Sequence, residues 1–301
     1  MIELALPIER SRILSKEEGE RLKADILDTA IEERFPLIYA HLFEVETFIS
    51  NSVDLIQRLE QATYQKHPKV HTDTDVIYID SGPGPYSYGM LKEGKSDLDD
   101  KNYHRWNWSR KMDRARIRTA YTLASLVTAR RIEEETGSIK SPQTLSEEDF
   151  AKYGPYLMYT SVSWQASHIK HALQLARQNG SFRIPDEKLV MYEKFRNSKG
   201  EIMPITHTED QMEGLDLPNN PDGSKPRRAV MVSHSAHFVR IVSVLGKYPG
   251  VIPNETTLQL FPIPTPKEAV IPYATAELLG TIPTILVKQR ASFAPYVNYQ
   301  I

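Results

Sequence analysis

The segment Ala229–Arg240 reads AVMVSHSAHFVR: an apolar run ends in hydroxyls and imidazoles and passes straight into a helix-like stretch. An α/β protein presents polar side chains in this way at the carboxyl end of a buried strand. Ser233 falls at the strand's end, and Ser235 is placed to cap the helix by accepting a bond from a free backbone N–H. His237 and Arg240, three apart, share one helix face near its positive end. The ligand this suits is an anion. The alternative is that both histidines, His234 and His237, serve only as hydrogen-bonding groups of the interior.

Other polar residues follow apolar runs in the same way. Asp80-Ser81-Gly82-Pro83-Gly84-Pro85 closes the first run. Ser81, Gly82 and Gly84 allow a sharp turn with backbone N–H groups that can cradle a phosphate or carboxylate, although two prolines remove donors. The next helix carries Arg110, Arg114 and Arg118 on one face, and Arg114 is near enough its start to reach an anion at the glycine loop. Between loop and helix lies Tyr86–Trp108, rich in aromatic rings, either a lid over a ligand or a small satellite core. A second run ends in Thr160-Ser161-Val162-Ser163, hydroxyl donors that feed a helix with His168 and His171. A third leads to Glu193, a charged insertion, and Thr206-His207-Thr208-Glu209-Asp210, where Thr208 suits a helix cap and Glu209 and Asp210 suit a first turn. The pairs His168/His171 and His234/His237 have a spacing that zinc or iron accepts, but no carboxylate accompanies them at ligand spacing, so no metal is expected.

The elements that position these residues follow from periodicity. Five short apolar runs, at 75–80, 155–160, 188–192, 229–233 and 258–261, are continuous rather than alternating, as in strands buried on both faces of a parallel sheet. Helix-like segments lie between them at 109–136, 164–179, 208–215 and 235–246, and 266–290 reads as helix with a break near Pro283. Alternation of this kind predicts a three-layer Rossmann-like α/β fold with a parallel sheet. Residues 15 to 65 read as two helices separated at Phe35-Pro36, the first opened by a Ser15/Glu18 capping box. Ile38, Leu42, Val45, Phe48, Val53, Ile56 and Leu59 form a core-facing stripe in the second. The expected organisation is an N-terminal helical extension over 1–70 packed on an α/β domain over 71–301. Segments that precede strands gather at the opposite sheet edge, so Asn219–Arg228 is expected to be a solvated loop rather than an anion site.

Composition narrows the partners. A net charge of −2 over 301 residues supplies no basic field for nucleic acid. There is no cysteine, which excludes disulfides and thiol nucleophiles. No signal peptide and no apolar run long enough for a bilayer are visible, and the expected location is cytoplasmic.

Taken in order, these elements resemble the YdcF-like family, the group containing SanA and ElyC. Its pattern is a strand into a Gly-rich loop, an Arg-containing helix and a strand into a Ser/Gly loop. A strand ending in Glu with a downstream Thr-x-Glu/Asn follows, and then a strand ending Ser-x-x-His-x-x-Arg. The matching residues are Asp80–Gly84, Arg114, Thr160–Ser163, Glu193 with Thr208 and Asp210, and Ser233 or Ser235 with His237 and Arg240, over roughly residues 73–265. The resemblance implies a Rossmann-like fold, and in at least one member S-adenosylmethionine binding. Departures are the absence of a glycine pair at 160–163, the longer loops at 85–108 and 194–207, and the lack of the membrane segment found in SanA- and ElyC-like members.

The functional expectation is a small anionic metabolite, nucleotide-like or S-adenosylmethionine, bound at the carboxyl edge of the sheet. Arg114 and Arg240 would hold its anionic group bidentately. His237 would be the general acid or base, and Glu193 would orient His237 or bind a ribose hydroxyl. Ser81, Gly82, Gly84, Thr160, Ser161, Thr208, Asp210, Ser233 and Ser235 would complete the pocket. Hydrolysis or group transfer suits this set; a non-catalytic sensor of the same ligands is the competing expectation.

Overall fold

All five apolar runs form strands in one sheet. The structure, a computed structural model, describes residues 14–32, 37–63, 70–80, 107–160, 163–197, 199–265 and 270–301. Its strands are β1 Thr74–Asp80, β2 Tyr156–Thr160, β3 Leu189–Tyr192, β4 Lys194–Arg196, β5 Ile202–Pro204, β6 Arg228–His234, β7 Thr257–Ile263 and β8 Tyr299–Gln300. Six of them make a sheet in the order β3-β2-β1-β6-β7-β8, and every pairing is parallel. From β1 the chain steps outward to β2 and β3, returns to β6 beside β1, and steps outward again on the other side. That is the strand order of dinucleotide-binding Rossmann folds, and β1/β6 is the switch point where such sheets place ligands.

Burial explains the continuous runs. Every residue of β1 and of β6 is buried, because helices cover both faces. The helices are α1 Lys16–Glu32, α2 Leu42–Thr63, α3 Asn107–Thr136, α4 Glu147–Tyr153, α5 Ser163–Gln178, α6 Thr208–Glu213, α7 Ser235–Lys247 and α8 Val270–Leu286. Ile77, Ile79, Val230 and Val232 pack with α3, α4 and α5 through Leu123, Val127, Phe150 and Ile169. Val76, Tyr78, Met231 and Leu260 face the other way, toward Ile56 and Leu59 of α2, Val242 of α7 and Leu278 of α8.

The N-terminal helices therefore belong to a layer of the domain. Ser15 and Glu18 cap α1 reciprocally, with Glu18 N donating to Ser15 Oγ at 3.1 Å and Ser15 N to Glu18 Oε2 at 2.9 Å. In α2 the expected stripe is buried at Val45, Phe48, Val53, Ile56 and Leu59. Thr265, just past β7, donates its hydroxyl to Glu60 Oε1 of α2 at 3.2 Å, across 205 residues of sequence.

Three features differ from the expectation. The insertion after β3 is the antiparallel hairpin β4–β5 followed by α6, and Phe195 of β4 is its buried residue. A short β8 adds to the sheet beyond β7, with Leu258 opposite Tyr299. The final helix runs unbroken through Pro283. Proline there removes one intrahelical bond at a cost of about 3 kcal/mol. Leu278 and Ile282 are fully buried and Ile285 nearly so, and burying each apolar side chain returns about 1.5–3 kcal/mol, so packing outweighs the break.

Candidate functional site

Asp80 ends β1, and Ser233 and His234 end β6 alongside it at the switch point. His234 is the N-cap of α7 with extended backbone (φ −77°, ψ 148°), so Ser235 is the first helical residue and not the cap expected of it. His237 then falls in the first turn of α7. It is buried at 4 % exposure, with Asp80 at 1 % and Glu277 of α8 at 3 %.

His237 stands between two carboxylates. Its Nε2 pairs with Asp80 Oδ2, and its Nδ1 lies 3.0 Å from Glu277 Oε1. Burial on its own would lower the imidazole pKa, but Glu277 and Asp80 outweigh burial and raise it to about 9. His237 is thus an imidazolium at neutral pH. Glu277 is held down to about 2, since Arg240 and His237 together overcome its own burial. Arg240 Nε is 3.0 Å from Glu277 Oε2. The guanidinium fits because residue 280 is glycine: a Cβ there would lie 2.3 Å from Arg240 Nη2. Glu209 of α6 adds to the field that keeps Arg240 charged, and accepts from the Thr284 hydroxyl at 3.0 Å.

A second set of groups backs the first. The Tyr273 ring lies 6.4 Å from that of His237 and nearly parallel to it, at 13°. Arg116 of α3, fully buried, donates to Asp113 Oδ1 at 3.1 Å and to Tyr273 Oη at 3.2 Å. Ser233 and Ser235 are fully buried, and their hydroxyls have no hydrogen-bond partner among the described residues. The charge census is close to balanced: Arg116, His237 and Arg240 against Asp80, Asp113, Glu209 and Glu277. Among the described residues no group of three or more His, Cys, Asp or Glu is arranged to hold a metal ion.

Of the residues expected in a pocket, the structure gathers Ser233, Ser235, His237 and Arg240. Ser81, Gly82, Gly84, Ser161 and the aromatic stretch 86–106 lie outside the described residues. Thr160 is at the edge but engaged: Tyr78 donates to its Oγ1 at 2.9 Å, and it donates to Gln211 Oε1 at 3.2 Å. Arg114 is exposed on α3, as is Arg118, while the arginine that the helix buries beside Tyr273 is Arg116. Glu193 does not orient His237; it pairs with Lys170 of α5. Asp210 is taken up by architecture, since its Oδ2 accepts from Thr206 N at 2.9 Å and His207 N at 3.1 Å, and its Oδ1 pairs with Arg290 at 3.0 Å. The N-cap of α6 is His207, which leaves Thr208 buried as the first helical residue.

Sequence reasoning placed Asp80 at the start of the glycine loop without giving it a role, and did not nominate Glu277, Arg116 or Tyr273. Glu277 had a signal: it is the one charged residue in VIPYATAELLGTIPTIL. Arg116 had one too, for it is in helical phase with Ala120, Leu123 and Val127, the buried face of α3. Together the fold and this cluster define a Rossmann-like protein with a histidine–carboxylate network at the switch point. No family model, curated protein or solved structure matches the chain.

Proposed function

We propose that the chain binds a small metabolite of nucleoside type at the carboxyl edge of its sheet and acts on it by hydrolysis or group transfer. The observation that carries the reading is His237, buried as an imidazolium between Asp80 and Glu277 in the first turn of α7. In this reading Asp80 Oδ1, which has no hydrogen-bond partner among the described residues, accepts a ligand hydroxyl or the proton of an attacking group. His237 holds the charge on Asp80, and Glu277 with Arg240 hold His237. The Ser233 and Ser235 hydroxyls supply further donors, and the N-terminal N–H groups of α7 favour a negative group.

The near-balance of charge favours a ligand carrying hydroxyls and a modest charge over a free polyphosphate. S-adenosylmethionine fits that donor set, with Asp80 for its ribose diol, and would supply an electrophilic methyl group. Of the residues that carry the YdcF-like resemblance, Asp80, Ser233, Ser235, His237 and Arg240 belong to this pocket in the reading. A second reading, a non-catalytic sensor of such ligands, is favoured by one observation: both ring nitrogens of His237 already have carboxylate partners.

A thermal-shift screen of S-adenosylmethionine, adenine nucleotides and sugar nucleotides tests the reading. A ligand at a hundred times its dissociation constant adds about 2.7 kcal/mol of stability. No shift with any of them overturns it. Turnover of a bound ligand selects the enzyme over the sensor.

A further inference from the structure

The opposite, amino-terminal edge of the sheet holds a cavity of about 430 Å³, within the range of small-molecule sites. Four cations line it, Arg131, Lys152, Lys188 and Arg227, against two carboxylates, Asp75 and Asp222, on a chain whose net charge is −2. Most of these charges are committed. Arg131 and Arg227 each reach Asp75 Oδ1 at 2.8 Å, and Lys152 pairs with Glu135 at 3.0 Å. Lys188 is different. Only three Lys or Arg among the described residues are buried, and two have carboxylates: Arg116 with Asp113 at 3.1 Å and Arg228 with Asp73 at 2.9 Å. Lys188, at 8 % exposure, has no carboxylate within 4.0 Å among the described residues and rests its ammonium 4.6 Å over the Tyr156 ring. Burial first, and then Arg131, lower its pKa. Glu187 and Asp75 oppose that shift without overcoming it, and a buried cation lacking a direct ion pair is costly unless something supplies one.

We propose that this amino-edge cavity is a second ligand site, which takes the phosphate group of a small soluble metabolite between Lys188 and Arg227. Arg227 uses Nε and Nη2 on Asp75, so its Nη1 remains to meet a phosphate oxygen. A phosphate is preferred to a monocarboxylate because the lining carries two more cations than carboxylates. An adjoining cavity of about 400 Å³ shares Arg131, Lys152 and Arg227 but is bordered by Glu134 and Glu135, which repel an anion. The phosphate therefore belongs on the Lys188 side. The proposal does not rest on the function assigned to the carboxyl edge.

The test is calorimetric titration of the full chain with inorganic phosphate and pyrophosphate, with acetate and chloride at matched ionic strength as references. Saturable binding of either phosphate, weakened at least tenfold by Lys188→Met and restored by Lys188→Arg, is the expected result. Equal response to acetate or chloride, no saturation, or unchanged binding by Lys188→Met overturns it. Should Lys188→Met fail to fold, reductive methylation of the native protein decides: pyrophosphate must slow modification of Lys188, and an unchanged rate refutes the site.

Discussion

The Nδ1 of His237 lies 3.0 Å from Glu277 Oε1, which ties the first turn of α7 to the middle of α8. The two residues are 40 apart in sequence and both fully enclosed, so each protonation state is coupled to the packing of two helices. Stability must then follow pH on both sides of neutrality. His237 is raised from 6.5 to about 9, so its contribution is complete below pH 6.5 and is lost as pH rises through 9. A shift of that size corresponds to about 3 kcal/mol. Glu277 is lowered from 4.5 to about 2, so its contribution is present above pH 4.5 and is lost as pH falls toward 2. Denaturant midpoints should form a plateau between pH 4.5 and 6.5 and decline on either side. A midpoint that does not fall between pH 7 and 9 would contradict the imidazolium.

Glu277→Gln should cost about 3 kcal/mol, because it leaves the buried His237 and the partly buried Arg240 without their shared carboxylate. It should also lower the His237 pKa below about 9, read from imidazole NMR shifts in the folded variant. An unchanged titration would assign the raised pKa to Asp80 alone.

Gly280→Ala sets two effects against each other. Alanine is favoured in a helix by about 1 kcal/mol. Its Cβ would meet Arg240 Nη2 at 2.3 Å, and that guanidinium is held by its ion pair with Glu277. Net destabilisation of about 1–2 kcal/mol is expected from overpacking and the broken ion pair. In an Arg240→Ala background the sign should reverse, to a gain of about 1 kcal/mol. If the loss persists there, the glycine serves something other than Arg240.

Once a ligand is in hand, His237→Asn and Arg240→Ala separate the two functional readings. An enzyme retains much of its affinity in His237→Asn but loses turnover. A sensor shows no turnover in any form and loses affinity in both variants. Affinity equal to wild type in folded Arg240→Ala would make the His237–Arg240 pair architectural.

The strands and most helices were legible because strands enclosed on both faces read as unbroken apolar runs, as in AVMVS. The hairpin was not: Ile202–Pro204 is exposed throughout and carries no burial pattern to read. Half of the site followed the same logic. Ser233, His237 and Arg240 are local to one strand–helix junction, and spacing places them. Glu277 reaches His237 from a separate helix, and its pairing depends on how α7 and α8 pack, which no local pattern encodes. Arg114 stands out by nearness to the helix start, and Arg116, outside the Arg110/Arg114/Arg118 face, shares the phase of Ala120 and Leu123. Helical phase decides which side chain turns inward.

The bond from Thr265 to Glu60, with the apolar stripe around it, has a consequence for synthesis on the ribosome. Helices α1 and α2 emerge well before the surfaces they cover, α7, β7 and α8. At about 5–20 residues per second the interval between the end of α2 and the start of α7 is roughly 10–35 s. Throughout it Val45, Phe48, Val53 and Ile56 have no native partner in those helices. A nascent chain of this design leaves the apolar face of α2 open until the residues of α7 and α8 have followed it out.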